Sequence, residues 1–148
     1  MGMNYRTTDL MNELSETSDS TGFKEFLSGH KDMNLYNNLG DFFNDYFKSH
    51  ANIDITAAIK RSNLDRGYAY QILNGRKTHP SKYKLVILCM CIGMNLKDIQ
   101  RALTISGCAV LYPKIDLDAA LIVCINNEYN SAIQINEFLS QNDLELIL

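Results

Sequence analysis

The sequence predicts an all-α protein with seven helices that follow a polar N-terminal arm. Apolar residues recur at helical spacing, most clearly where five of them fall at i, i+3, i+4, i+7 and i+8. These five residues are Leu39, Phe42, Phe43, Tyr46 and Phe47. Asp or Asn, which cap helices, precede several such runs, and no stretch shows the period-2 alternation of a half-buried strand. The 148 residues are enough to bury a substantial core.

Residues 1–34 are polar and rich in turn-forming residues, and they predict the arm. Two groups within it are spaced for single amphipathic turns, Leu10, Met11 and Leu14 in the first and Phe23, Phe26 and Leu27 in the second. Segments this short are not stable alone. We therefore expect a partly ordered arm that packs its apolar residues against another surface.

Five helices are predicted over residues 35–106. The first carries the apolar face described above, and Asp54 caps the second. Ser62–Asn63 predicts a turn into the third helix, because Asn tolerates the left-handed conformation. The third helix runs from about Asp65 to Leu73 and ends at Asn74–Gly75.

The fourth helix opens at His79-Pro80-Ser81 and is apolar on nearly every side, which is typical of the buried centre of a domain. Asn95 caps the fifth helix, which ends at Gly107. A Leu111-Tyr112-Pro113 linker follows.

The predicted C-terminal region, residues 107–148, is an acidic pair of helices packed on the five-helix domain. Its helices run over about residues 116–127 and 130–141. An apolar face on each helix predicts core packing between them, with a dimer or partner surface as the alternative. The residues of this face are Leu121, Cys124, Ile125, Ile135, Phe138 and Leu139.

The residues that most often carry enzyme chemistry are scattered. The four cysteines (Cys89, Cys91, Cys108 and Cys124) form no Cys-x-x-Cys pair and predict free thiols in the core of a cytoplasmic protein. The three histidines, His30, His50 and His79, lie far apart and match no metal-ligand spacing. No phosphate-binding loop or nucleophile motif is present. We therefore expect no enzyme activity, no metal and no cofactor.

A membrane location is not expected either. The longest apolar run, Leu85 to Met94, falls short of the roughly 20 residues that span a bilayer. The first residues lack the basic and apolar regions of a secretory signal.

The charge of the chain is strongly polarised. The net charge is −3, but residues 60–84 hold seven Lys or Arg and one Asp, a local charge of +6 that leaves −9 for the remainder. The basic residues of this segment are Lys60, Arg61, Arg66, Arg76, Lys77, Lys82 and Lys84. Residues 115–148 contain six acids and no Lys or Arg. The total therefore does not exclude a nucleic-acid partner.

The sixteen residues from Arg66 read Arg-Gly-Tyr-Ala-Tyr-Gln-Ile-Leu-Asn-Gly-Arg-Lys-Thr-His-Pro-Ser. This segment resembles the recognition helix and following loop of the lambda-repressor-like (Xre-type) helix-turn-helix family, in which Asn-Gly, a basic pair and Pro-Ser stand in this order. Residues 35–106 match the five-helix domain of that family in order and spacing. The Leu-Tyr-Pro linker and the C-terminal helices extend the resemblance to small Xre-like bacterial proteins.

The resemblance implies a transcriptional regulator that reads the major groove of double-stranded DNA with the helix over residues 65–73. The positions that read bases are Arg66 and Gln71, with Tyr68 and Tyr70 adjacent, and those that bind phosphate are Asn74, Arg76, Lys77 and Lys82. The N-terminus of the second helix, near Thr56, is expected to offer backbone N–H groups to a further phosphate. Arg pairs well with guanine and Gln with adenine. A homodimer in the bacterial cytoplasm, associated with the nucleoid, is expected.

Two alternatives to this function stay open. The same scaffold could serve as an adaptor that binds a signalling or regulatory protein through its basic face, its tyrosines or its acidic C-terminal helices. The acidic tail could also fold over the basic segment and shield it. A basic run by itself is most often a solvated face.

Overall fold

The computed structural model describes residues 7–29 and 38–147. Within these residues all regular structure is helical, nine helices without a strand, which confirms the predicted all-α class. The chain divides into two compact units, residues 1–37 and 38–148. His30, the side chains of Leu10, Phe26 and Leu27, and the part of the predicted first helix before residue 38 lie outside the described part of the chain.

The first unit contains two helices that contact each other, α1 (Thr7–Ser15) and α2 (Ser20–Gly29). Each is longer than the single turn expected from the apolar spacing. Met11 is 63% exposed and Phe23 is 48% exposed. These two described apolar side chains are therefore largely open to solvent.

The second unit contains the seven helices predicted beyond the arm. They are α3 (Leu39–Ser49), α4 (Ile55–Ser62), α5 (Arg66–Leu73), α6 (Lys82–Ile92), α7 (Leu96–Ile105), α8 (Asp116–Asn126) and α9 (Ala132–Gln141). No helix among the described residues is both long and apolar enough to cross a membrane.

The predicted caps set where several helices begin. The carboxylate of Asp54 accepts a hydrogen bond from the Ala57 amide, and the side chain of Asn95 accepts one from the Asp98 amide. Asn63 adopts the left-handed conformation after α4, with φ of 58°. This confirms the turn predicted from its amide side chain.

The α6 helix is the centre of the second unit. Every side chain from Leu85 to Ile92 is buried, which confirms the prediction of a central helix. Helices α4 and α7 pack on α6, and α3 packs on α5 and α7. A methyl group at Gly40 would lie 2.7 Å from the Asn74 carbonyl oxygen, so a glycine is required where α3 approaches the end of α5.

The C-terminal helices belong to the same core. Helix α8 packs on α7 and α9, and α9 packs on α4. Leu121, Cys124, Ile135 and Leu139 are fully buried, which confirms core packing for this face. All four cysteines are free, and burial raises the pKa of the Cys91 thiol to about 12. Cys89, Cys91 and Cys124 are buried and behave as small core residues, as predicted, whereas Cys108 is half-buried.

Candidate nucleic-acid interface

Helices α4 and α5 are short and are joined by the three residues Asn63, Leu64 and Asp65. The Asp65 carboxylate caps α5 by accepting a hydrogen bond from the Tyr68 amide. On the inner face of α5, Ala69 and Ile72 are fully buried. The Asp65 cap and the buried inner face hold α5 in place, so the position of its outer face is fixed as well.

Three of the four predicted base-reading residues lie on that outer face. The side chains of Arg66, Tyr70 and Gln71 are exposed, Tyr70 to 36%. The guanidinium carbon of Arg66 lies 5.7 Å from the centroid of the Tyr70 ring, a cation–π contact. This contact orders the Arg66 side chain while leaving it accessible.

A cleft of about 360 Å³ lies between the two helices, and we call it the α4–α5 cleft. Its apolar lining comes from Ile59 and Leu64, and Arg66 and Tyr70 line it from α5. Thr56, predicted to lie near phosphate at the N-terminus of the second helix, lines the same cleft from the first turn of α4. The predicted residues of the two helices therefore meet at one surface.

Tyr68 occupies a different environment from the other three. It is half-buried, and its hydroxyl oxygen accepts a hydrogen bond of 3.0 Å from the Ser81 amide. The ammonium nitrogens of Lys77 and Lys84 lie 5.6 Å and 5.0 Å from the centroid of its ring. Tyr68 thus connects α5 to the start of α6 and attracts two cations to the same point.

The loop after α5 is ordered by its own hydrogen bonds. The side chain of Asn74 accepts a bond of 3.0 Å from the Arg76 amide, and the Lys77 amide donates to the Gln71 carbonyl over 2.9 Å. Gly75 allows the chain to turn here with φ of 80°. Arg76 and Lys77 are both exposed. Two cations are therefore displayed beside the end of α5.

Lys82, predicted to bind phosphate, instead contacts a carboxylate in the core. Its ammonium lies 3.0 Å from Oδ2 of Asp118, whose side chain is fully buried. It also donates to the Val110 carbonyl over 3.3 Å. The Lys82 ammonium is therefore bonded to groups within the fold.

Two further groups donate hydrogen bonds to the Asp118 carboxylate. The Tyr83 hydroxyl donates to its Oδ1 over 2.8 Å and the Tyr112 amide donates to its Oδ2 over 2.9 Å. Burial opposes ionisation of Asp118, but these bonds and the Lys82 ammonium outweigh it and lower the pKa of the carboxyl. Burial and the neighbouring carboxylate raise the pKa of Tyr83 to about 12.

Arg61 is a second basic residue with a structural role. Its guanidinium donates to the Cys91 carbonyl over 2.7 Å and to the Asn130 carbonyl over 3.1 Å. It therefore connects α4 with the end of α6 and with the loop before α9. Arg61 and Lys82 belong to the basic segment, but their partners lie far away in the chain. No local sequence pattern indicates those partners.

The other five basic residues of the segment are exposed or half-buried around α5. Lys60, Arg66, Arg76 and Lys77 are exposed, and Lys84 is half-buried against the Tyr68 ring. No group of three His, Cys, Asp or Glu side chains within the described residues is arranged to hold a metal ion.

Comparisons of the chain with protein-family models, with curated proteins and with solved structures find no match.

Proposed function

We propose that the chain is a sequence-specific double-stranded DNA-binding regulator of transcription. In this proposal α4 and α5 form the helix-turn-helix of a five-helix, Xre-like domain, and α5 enters the major groove. The observation that carries the proposal is the outer face of α5. It presents Arg66 and Gln71 to solvent above the buried Ala69 and Ile72.

The surrounding cations support the same proposal. Arg76 and Lys77 follow α5, Lys84 lies beside them at the Tyr68 ring, and Thr56 is exposed in the first turn of α4. Phosphate groups on either side of a bound helix require donors of this kind, because contacts to the backbone position the protein before bases are read. Asn74 contributes its exposed side chain at the end of α5.

A homodimer would extend the site. One such domain reads a half-site, and a pair related by a twofold axis reads two half-sites about one helical turn apart. Symmetric sites in the selected DNA would support this arrangement.

Selection of bound duplexes from a random pool, followed by titrations with variants, tests the proposal. We expect Arg66→Ala to lose roughly 1–3 kcal/mol on the selected site and to relax the preference for one base pair. Lys77→Ala should weaken selected and random DNA alike. Lys97→Ala on α7 is the matched control and should leave both affinities unchanged.

The salt dependence of the affinity separates phosphate binding from base reading. About four phosphate contacts predict that log affinity falls with log salt at a slope of about −4, and Lys77→Ala should reduce that slope by about one. Equal binding of random and selected DNA that is insensitive to Arg66→Ala would contradict sequence-specific reading.

The α4–α5 cleft favours a second candidate function, a protein-interaction adaptor. An apolar lining of Ile59 and Leu64 beside Tyr70 suits an apolar side chain of a partner, with Lys60 and Arg66 next to it for acidic groups. Tyr70→Ala should then abolish retention of a stoichiometric protein partner from native lysate. Gln71→Ala is the matched control, since Gln71 is not among the residues that line the cleft.

A further inference from the structure

A second cleft lies at the C-terminal end of α6, where the last residues of α6 and α8 meet the start of α7. Its volume is about 460 Å³, and we call it the α6–α8 cleft. Clefts of roughly 300–1,000 Å³ are typical of small-molecule sites. Its lining residues are Met90, Gly93, Met94, Asn95, Leu96, Ile125, Asn126, Glu128, Tyr129 and Asn130.

One part of the cleft wall is apolar. Met90, Met94 and Ile125 are 2%, 4% and 6% exposed, so they are backed by the core while they line the cleft. Methionine side chains are flexible and polarizable, and they adapt to ligands of different shape. This wall suits the apolar body of a small molecule.

The polar part of the wall favours a positive charge. Glu128 is the charged side chain among the described residues that line the cleft. Helix α8 ends here, and the C-terminal end of a helix carries a partial negative charge, whereas the end of α6 already holds the Arg61 guanidinium at the Cys91 carbonyl. Helix α7 begins at the same cleft, but Asn95 caps it and its first turn carries Asp98.

An aromatic ring lines the same cleft as the carboxylate. Tyr129 follows Glu128 in the chain, and its ring contacts Phe138 edge to face with centroids 6.3 Å apart. A ring held in this way offers a surface for an ammonium group. A carboxylate, an aromatic ring and the C-terminus of α8 together form a chemically consistent set for amine recognition.

We propose that the α6–α8 cleft binds a small organic cation with an apolar body. This inference does not depend on DNA binding, because the residues that line the cleft are not among those proposed to contact DNA. The Arg61 guanidinium, bonded to the carbonyl of the lining residue Asn130, connects the cleft wall to α4.

Three probes of one shape and different charge test the proposal: 4-phenylbutylammonium, 4-phenylbutanol and 4-phenylbutanoate. Each is titrated into the full-length chain while NMR follows the methyl signals of Met90 and Met94. We expect both signals to shift, and the ammonium to bind about tenfold more tightly than the carboxylate. Equal or tighter binding of the carboxylate, or unshifted Met90 and Met94 signals, would overturn the proposal.

Matched variants show which carboxylate binds the ammonium group. Glu128→Gln should weaken the ammonium about fivefold and leave the alcohol unchanged. Glu137→Gln, which removes an exposed carboxylate of α9 outside the cleft lining, should leave all three affinities unchanged. Asn126→Trp should block all three probes by filling the cleft. If Glu128→Gln and Glu137→Gln behave alike, the proposal is wrong.

Discussion

Tyr68 lies where α5, the basic loop and α6 meet, and its contacts give it a role different from that of its neighbours on α5. The resemblance places it among the base-reading residues, but its hydroxyl is occupied by the Ser81 amide. Its ring lies close to the ammonium groups of Lys77 and Lys84. In the proposed interface Tyr68 therefore acts through those lysines by keeping them at one point of the surface.

Tyr68→Phe should remove the hydrogen bond to Ser81 and keep the ring. Loss of one such bond is expected to lower the free energy of unfolding by about 1 kcal/mol. Urea denaturation measures the change. Tyr112→Phe, an aromatic side chain that is 44% exposed, is the control and should stay within about 0.5 kcal/mol of the wild type. Identical midpoints for Tyr68→Phe and the wild type would show that the bond does not stabilise the fold.

At the scale of helices, Asp118 connects α8 to α6. It accepts hydrogen bonds from Lys82 and Tyr83 at the start of α6, and from the backbone of the Tyr112 linker residue. The sequence did contain a signal for its burial. Asp118 stands three and seven residues before Leu121 and Ile125, so it shares their buried face, but its partners are set by tertiary packing.

Asp118→Asn should lower the free energy of unfolding by about 2 kcal/mol at pH 7, because it leaves the Lys82 ammonium and the Tyr83 hydroxyl poorly paired. Since the pKa of Asp118 is lowered by folding, its ionised form stabilises the protein above the unfolded pKa of about 3.9. That contribution is lost as the pH falls through the folded pKa.

The difference between Asp118→Asn and the wild type should therefore narrow below about pH 4, as measured by denaturation across pH. Asp116→Asn, at an exposed carboxylate in the first turn of the same helix, should cost less than about 1 kcal/mol. A difference for Asp118→Asn that stays constant down to pH 2 would contradict the role of the ionised carboxyl.

At the scale of the whole molecule, the C-terminal helices complete the core. Helix α9 covers α4, α8 covers α7, and four of their apolar side chains are fully buried. The three aliphatic ones, Leu121, Ile135 and Leu139, each contribute about 1.5–3 kcal/mol when they are buried. Their sum is comparable with the stability of a typical domain, about 5–15 kcal/mol.

Truncation before Ile115 should therefore abolish cooperative thermal unfolding, as followed by circular dichroism. A chain of residues 38–148 should keep a cooperative transition, because that unit has its own core. A folded truncated chain would contradict this account.

Shielding of the basic segment by the acidic tail is better tested by neutralising exposed acids such as Glu137 and Glu145, because those substitutions spare the core.

Much of the fold could be predicted because its signals are local. The caps at Asp54 and Asn95, the left-handed Asn63 and the apolar surface of α6 each depend on a few neighbouring residues. The two N-terminal helices were expected only as single turns, since their short apolar groups gave a weak signal. The requirement for a glycine at Gly40 depends on the approach of α5 and could not be read locally.

The candidate site divides in the same way. The sequence by itself determined the helical class, the order of the helices and the concentration of positive charge in residues 60–84, because periodicity, capping and composition are properties of the chain. The tertiary structure alone decided which cations are bonded to distant parts of the fold. Arg61, although exposed, and Lys82 are bonded to groups 30 or more residues away, whereas Arg66, Arg76 and Lys77 are exposed beside α5. Those partners are set by long-range packing, which a local sequence pattern does not predict.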